Sequence, residues 1–142
     1  MGRVFRSAAC ALALAPGGPT LAQAEELTAL SDTAMSITGD VTLDDFGITF
    51  ANGEALAFSA LVGDAFEVSG EQVPASVHEV EAPADPVLEN GNQLCGSGNV
   101  TYVANWLIPG SDTDTVIAVF DTQDVPQSDA EACATYTYEM GQ

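Results

Sequence analysis

His78 is the chain's one histidine, set between Val77 and Glu79, and it is the sole imidazole that could act as a general base. Serine chemistry needs such a base beside an exposed hydroxyl. The segment Cys95-Gly96-Ser97-Gly98 lacks the G-x-S-x-G order of a nucleophile elbow and reads as a turn. A Cys95–His78 dyad would require Cys95 to be a free thiol. In a run of strand-forming residues, His78 is expected to be a surface or hydrogen-bonded strand residue. The competing role is that of pH sensor or ligand.

Carboxylates are far more numerous. The 142 residues include 21 Asp+Glu against 2 Lys+Arg, a net charge of −19. Paired carboxylates hydrolyse glycosides, but nothing in the pattern singles out one pair. Calcium takes oxygen ligands, and the run Ser111-Asp112-Thr113-Asp114, followed by Asp121 and Asp124, makes Asp112 and Asp114 the candidate calcium ligands. A second acidic stretch is Glu89-Asn90-Gly91-Asn92. Neither follows the EF-hand pattern, and Asp and Asn fill surface turns for backbone reasons alone. The expectation is therefore no cofactor, with loose Ca²⁺ binding as the only metal chemistry in view. One further set could touch a ligand. Tyr102, Trp106, Tyr136 and Tyr138 fall on alternating strand positions and are the candidate ligand-binding residues of a barrel mouth. The same spacing also serves cross-strand packing.

The two basic residues, Arg3 and Arg6, lie in the first six positions. A chain with no later Lys or Arg has nothing with which to neutralise nucleic-acid phosphates or grip an anionic membrane. Arg3 and Arg6 precede an Ala- and Leu-rich segment and the ending Leu21-Ala22-Gln23-Ala24, which together describe a secretory signal peptide over residues 1–24. Cys10 follows Ser7-Ala8-Ala9, which faintly resembles a lipoprotein cleavage box, but almost no apolar run precedes it. Residues 25–142 then form a single β domain in the periplasm or outside the cell, with no apolar stretch long enough to span a membrane. Loss of both arginines takes the charge from −19 to −21 and the cysteines from three to two. In an oxidising compartment the pair Cys95 and Cys133 reads as one disulfide. It closes a long loop, worth roughly 4 kcal/mol in the chain-entropy account.

The elements that must carry these residues are short β segments. Met35 and Ile37 alternate, as do Val41 and Leu43. Phe46, Ile48 and Phe50 share a face and stop at Asn52-Gly53, a hairpin signal. Leu56, Phe58, Ala60 and Val62 follow and end at Gly63-Asp64, then Phe66 and Val68 form a shorter run closed by Gly70. Val73–Glu81 is a weaker strand, interrupted by Pro83 and Pro86. Val100, Tyr102, Ala104 and Trp106 share a face. Val116–Phe120 is continuously apolar, as in a strand buried on both sides. Ala134, Tyr136, Tyr138 and Met140 alternate in the last strand. Ser128–Ala132 suits one helical turn with Ser128 as its cap. The fold class is all-β: a single antiparallel β-barrel or β-sandwich of about eight short strands with one disulfide. The sequon Asn99-Val100-Thr101 is expected to stay unmodified in a chain exported by a bacterial type of signal.

The run Ala84-Asp85-Pro86-Val87-Leu88-Glu89-Asn90-Gly91-Asn92-Gln93-Leu94-Cys95-Gly96, with Cys133-Ala134-Thr135-Tyr136-Thr137-Tyr138, resembles small uncharacterised bacterial periplasmic proteins. That resemblance implies the compartment and no assigned activity. In size, acidity, β content and disulfide the chain is also similar in outline to periplasmic inhibitors of lysozyme. That family's inhibitory loop maps onto no stretch here, and no residue role is carried over. The expected function is non-catalytic binding, of a cationic protein or of a small apolar ligand. Two alternatives stand beside it: an acidic envelope or structural protein without a specific ligand, and a small carboxylate-dependent hydrolase.

Overall fold

The computed structural model describes residues 24–141. The expected signal peptide, Ala24 excepted, lies outside the described residues, as do Arg3, Arg6 and Cys10. Eight strands follow in chain order: β1 (Glu25–Ala29), β2 (Val41–Asp44), β3 (Gly47–Thr49), β4 (Ala55–Val68), β5 (Glu71–Ala84), β6 (Val100–Leu107), β7 (Asp114–Phe120) and β8 (Ala134–Met140). Each pairs antiparallel with the next, and β8 returns to β1, so the sheet is a closed barrel rather than a sandwich. Closure leaves the barrel part of the sheet without a free edge.

Period-2 alternation sets what the barrel encloses. Leu27, Val41, Leu43, Ile48, Leu56, Phe58, Val80, Val103, Ile117, Val119, Tyr136 and Tyr138 form the inner core. Gly47 allows β3 to lie tightly on β4, because a Cβ there would stand 2.7 Å from the Leu56 carbonyl oxygen. Among the described residues no helix is long and apolar enough to cross a membrane.

A second core lies outside the barrel. β4 and β5 are each 14 residues long, and only part of each closes the barrel. Register shifts at Phe58/Ala60, Leu61/Gly63 and Gly63/Ala65 bend the rest outward, as extra residues in a ladder do. Gly63-Asp64, expected to end a strand, is thus the bend within one. The bent arm lays Phe66 against Trp106, with ring centroids 5.2 Å apart, and edge-on to Phe120 at 5.8 Å. Val77, Tyr102, Ala104 and Ala118 complete this outer cluster. Beyond it, the Glu67 N–H donates to the Gln127 carbonyl at 2.9 Å and holds the arm to the loop after β7. The apolar run Val116–Phe120 is now explained. Ile117 and Val119 face the barrel interior, and Ala118 and Phe120 lie under the arm.

Three long connections, β1–β2, β5–β6 and β7–β8, gather at one end and close it. Met35 and Ile37 belong not to a strand but to a π-type turn, Ala34–Thr38, in which the Gly39 N–H donates to the Ala34 carbonyl at 2.8 Å. A 3-10 turn, Glu89–Gly91, packs beside it, and the side-chain amides of Asn90 and Asn92 donate to the Ser36 carbonyl. Leu88 and Leu94 fill the barrel beneath these turns. The Asp85 carboxylate accepts the N–H groups of Leu94, Cys95 and Gly96, and so presents Cys95 to Cys133. The disulfide joins them across a Cα–Cα distance of 5.3 Å. Pro83 does not end the preceding strand; β5 runs to Ala84 with an irregularity after Glu79. Ser128 caps the 3-10 turn Asp129–Glu131 by accepting the Ala130 N–H.

Candidate functional site

The opposite end is open. Here the β2–β3 connection is a tight turn, and Asp44 shapes it by accepting the N–H groups of Phe46 at 2.7 Å and Gly47 at 3.0 Å. The arm bends away from this end, and no long loop crosses it. A cavity of about 780 Å³ results, lined by Glu25, Glu26, Leu43, Asp44, Asp45, Ser76, His78, Asn105 and Met140, with Ala24 and Gly141 at its edge. Four carboxylates surround it. No Lys or Arg occurs anywhere in the described residues to offset them.

Register explains how these residues meet. Ser76 and His78 stand two apart on β5, and both point inward, because Val77 between them packs into the outer core. Ser76 is opposite Asn105, and His78 is opposite the inward Val103. Glu25 is opposite Leu43 across β1 and β2. The inner face of β5 and β6 thus changes from apolar to polar towards the mouth. Val80 and Val103 give way to His78, Asn105 and Ser76.

His78 forms part of the cavity floor. It is 4 % exposed, and its ring stacks on Phe58 with centroids 4.4 Å apart and planes 11° from parallel. Its Nδ1 is buried without a hydrogen-bond partner, and so is the Asn105 Oδ1. This departs from the surface or hydrogen-bonded strand histidine expected from the sequence. Burial holds the His78 imidazole below its usual pKa, with the Asp45 carboxylate pulling the other way. The ring is consequently neutral at pH 7.

The four aromatic residues do not meet at one surface. Tyr102 and Trp106 lie in the outer core under the arm. Tyr136 and Tyr138 lie inside the barrel towards its closed end. Inward and outward positions alternate, but these two pairs come from strands whose matching positions fall on opposite faces. The Tyr136 hydroxyl donates to the Leu94 carbonyl at 2.7 Å. Tyr138 and Thr38 share a hydrogen bond of 2.6 Å. Since Thr38 directs its own proton to a backbone carbonyl, Ala34 or Gly39, Tyr138 is the donor. Burial, with the Asp85 carboxylate adding to it, pushes the Tyr136 hydroxyl up to about 12. Burial raises Tyr138 as well.

Asp112 is exposed, and Asp114 accepts the Thr113 hydroxyl at 3.3 Å on the β6–β7 connection. Glu89, Asn90 and Asn92 belong to the closed end. Among the described residues no group of three or more His, Cys, Asp or Glu side chains is placed to hold a metal ion. The mouth residues Glu25, Glu26, Asp44, Asp45, Ser76 and Asn105 were not singled out by sequence reasoning. One signal existed, the inward polar positions Ser76, His78 and Asn105 in otherwise apolar alternations, but it is legible only once the inward face is known. Comparison with protein-family models, curated proteins and solved structures finds no match to the chain.

Proposed function

We propose that this protein is a non-catalytic binding protein, exported to the periplasm or beyond, that takes a positively charged ligand into the mouth of its barrel. The observation that carries this reading is the 780 Å³ cavity ringed by Glu25, Glu26, Asp44 and Asp45. Its polar walls speak against the small apolar ligand and for a cation. Like charges gathered at a mouth with low-dielectric walls concentrate the field and draw cations in. The Cys95–Cys133 disulfide supports an oxidising compartment. Cleavage after Ala24 would leave the new amino group of Glu25 at the rim, one positive charge against four carboxylates. A binding role fits His78 better than catalysis does, because no carboxylate holds its Nδ1 in the orientation a general base requires. With no Lys or Arg after Arg6, the charge of the mature chain favours positive partners and speaks against nucleic acid.

Calorimetry with short alkylammonium ions and with a basic protein, at low and at high salt, tests the reading. Alkylammonium binding that salt weakens, and that Glu26→Gln with Asp45→Asn weakens further, is the expected result. Binding of the basic protein alone would move the site from the cavity to the outer rim. Failure of every cation to bind at low ionic strength overturns the reading.

A further inference from the structure

The arm that β4 and β5 extend beyond the barrel has an open edge. β3 pairs with β4 only as far as Ala57, and just beyond it the Phe58 N–H donates to the Phe46 carbonyl at 2.8 Å. At the far end Glu67 bridges to Ser128. Between these two points, residues 59–66 pair with β5 on one side and with no strand among the described residues on the other. We propose that this edge is a docking site for an extended cationic segment of another protein, which adds to the arm as a further strand.

Unpaired N–H and C=O groups along a strand edge are a template for another strand, and proteins blunt such edges with Lys, Pro or inward charge. Residues 59–66 contain neither Lys nor Pro, and Asp64 is the one charge among them. All but Gly63 and Phe66 are exposed. Apolar side chains collect here instead. Of the eight large apolar residues exposed among the described residues, four border this edge. Phe46, 66 % exposed, stands where β3 parts from β4. Leu61, 60 % exposed, and Val62 lie on the edge itself. Val125 shares with Val62 a cavity of about 180 Å³ between the arm and the loop after β7. Main-chain groups along an edge, with apolar anchors in its middle and at both ends, are what recognises an extended peptide.

Charge chooses the occupant. Asp45 precedes Phe46, Asp64 lies within the edge, and Asp124 precedes Val125. The Glu79 carboxylate accepts the Ser59 hydroxyl at 3.1 Å beside them. A second copy of the chain would bring the same carboxylates against these and be repelled. The register shifts along β4 also bend the edge, which works against long, flat pairing between two folded edges. A short flexible segment follows such a curve. Alternating apolar and basic residues, turned to opposite faces by the period of two, meet both the anchors and the charge.

The test titrates a labelled heptapeptide of alternating Lys and Val into the purified protein at low ionic strength, read by fluorescence anisotropy. A fully N-methylated version keeps the charge and side chains but has no N–H to donate. The expected result is binding of the parent peptide, with the methylated one weaker by about tenfold or more. Amide hydrogen exchange should slow within residues 59–66. Leu61→Lys with Val62→Lys gives the edge the guards it lacks and should weaken the parent peptide at least about tenfold. Trp106, stacked on Phe66 beneath the arm, reports by its fluorescence that the variant keeps its fold. Failure of the parent peptide to bind, or equal binding of the two peptides, overturns the proposal. Protection confined to the mouth overturns it as well, and leaves the acidic mouth as the cation site. A dimer in sedimentation that protects residues 59–66 gives the edge to a second copy and overturns it too.

Discussion

The two ends of the barrel share eight strands and differ in what crosses them. At the closed end, two short turns, an anchored loop and a disulfide cover the strands, and side-chain hydrogen bonds tie them together. Asp85 holds three N–H groups, Tyr136 closes the Leu94 carbonyl, and Tyr138 meets Thr38. At the mouth a tight turn and strand termini leave a cavity, with two buried polar atoms unpaired and four carboxylates close together. The first arrangement stabilises the fold. The second leaves polar atoms unpaired and like charges side by side, both of which cost stability.

The largest test of this contrast is the disulfide. Cys95→Ala with Cys133→Ala is expected to lower stability by roughly 4 kcal/mol, read as a fall in the urea midpoint. Loss of less than about 1 kcal/mol would mean that the closed end is held by its hydrogen bonds and apolar packing instead. Tyr136→Phe comes next. It strips the Leu94 carbonyl of a buried donor and should cost about 1–2 kcal/mol, measured in the same way.

A third test separates the ends by pH. The unfolded chain protonates its histidine near pH ~6.5, whereas burial holds the folded His78 lower. Between those values the unfolded state binds more protons, so this contribution is complete above about pH 6.5 and is lost as the pH falls below it. Tyr136 has the opposite sign. Its folded pKa of about 12 lies above the usual 10.0, so its contribution is complete below pH 10 and is lost as the pH rises towards 12. Stability profiles compared with those of His78→Phe and Tyr136→Phe should therefore diverge on the acid side for the mouth and on the alkaline side for the closed end. Parallel profiles would remove the distinction.

The smallest expected effect is on stability at the rim. Asp45→Asn and Glu26→Gln should change it by no more than about 0.5 kcal/mol, and in the stabilising direction, because each removes repulsion from a chain without Lys or Arg to balance it. Added salt should raise the melting temperature for the same reason. A melting curve indifferent to salt would show that the carboxylates are too well solvated to repel one another.

Much of the fold was legible from local pattern. The alternations at Val41/Leu43, Leu56/Phe58 and Tyr136/Tyr138 mark strands, and the apolar run Val116–Phe120 foretold burial on both faces. Met35 and Ile37 misled because a single wide turn also separates alternate residues. Gly63-Asp64 misled because glycine serves a bend within a strand as readily as a strand end. The candidate site was not legible. Its residues come from β1, the β2–β3 turn, β5, β6 and β8, and only barrel closure brings them together.

The sequence by itself determined that the chain is built of β strands, that Cys95 and Cys133 pair, and that no Lys or Arg follows Arg6. These follow from local chemistry: the period of two, an even pair of thiols, a count of charges. Only the tertiary structure decided that the sheet closes, which face of each strand points inward, and that the long hairpin folds back over Trp106 and Phe120. Alternation divides a strand into two faces without saying which is the inner one. That choice depends on pairing between residues far apart in the chain, and it is what places His78 and Asn105 on the floor of an acidic mouth.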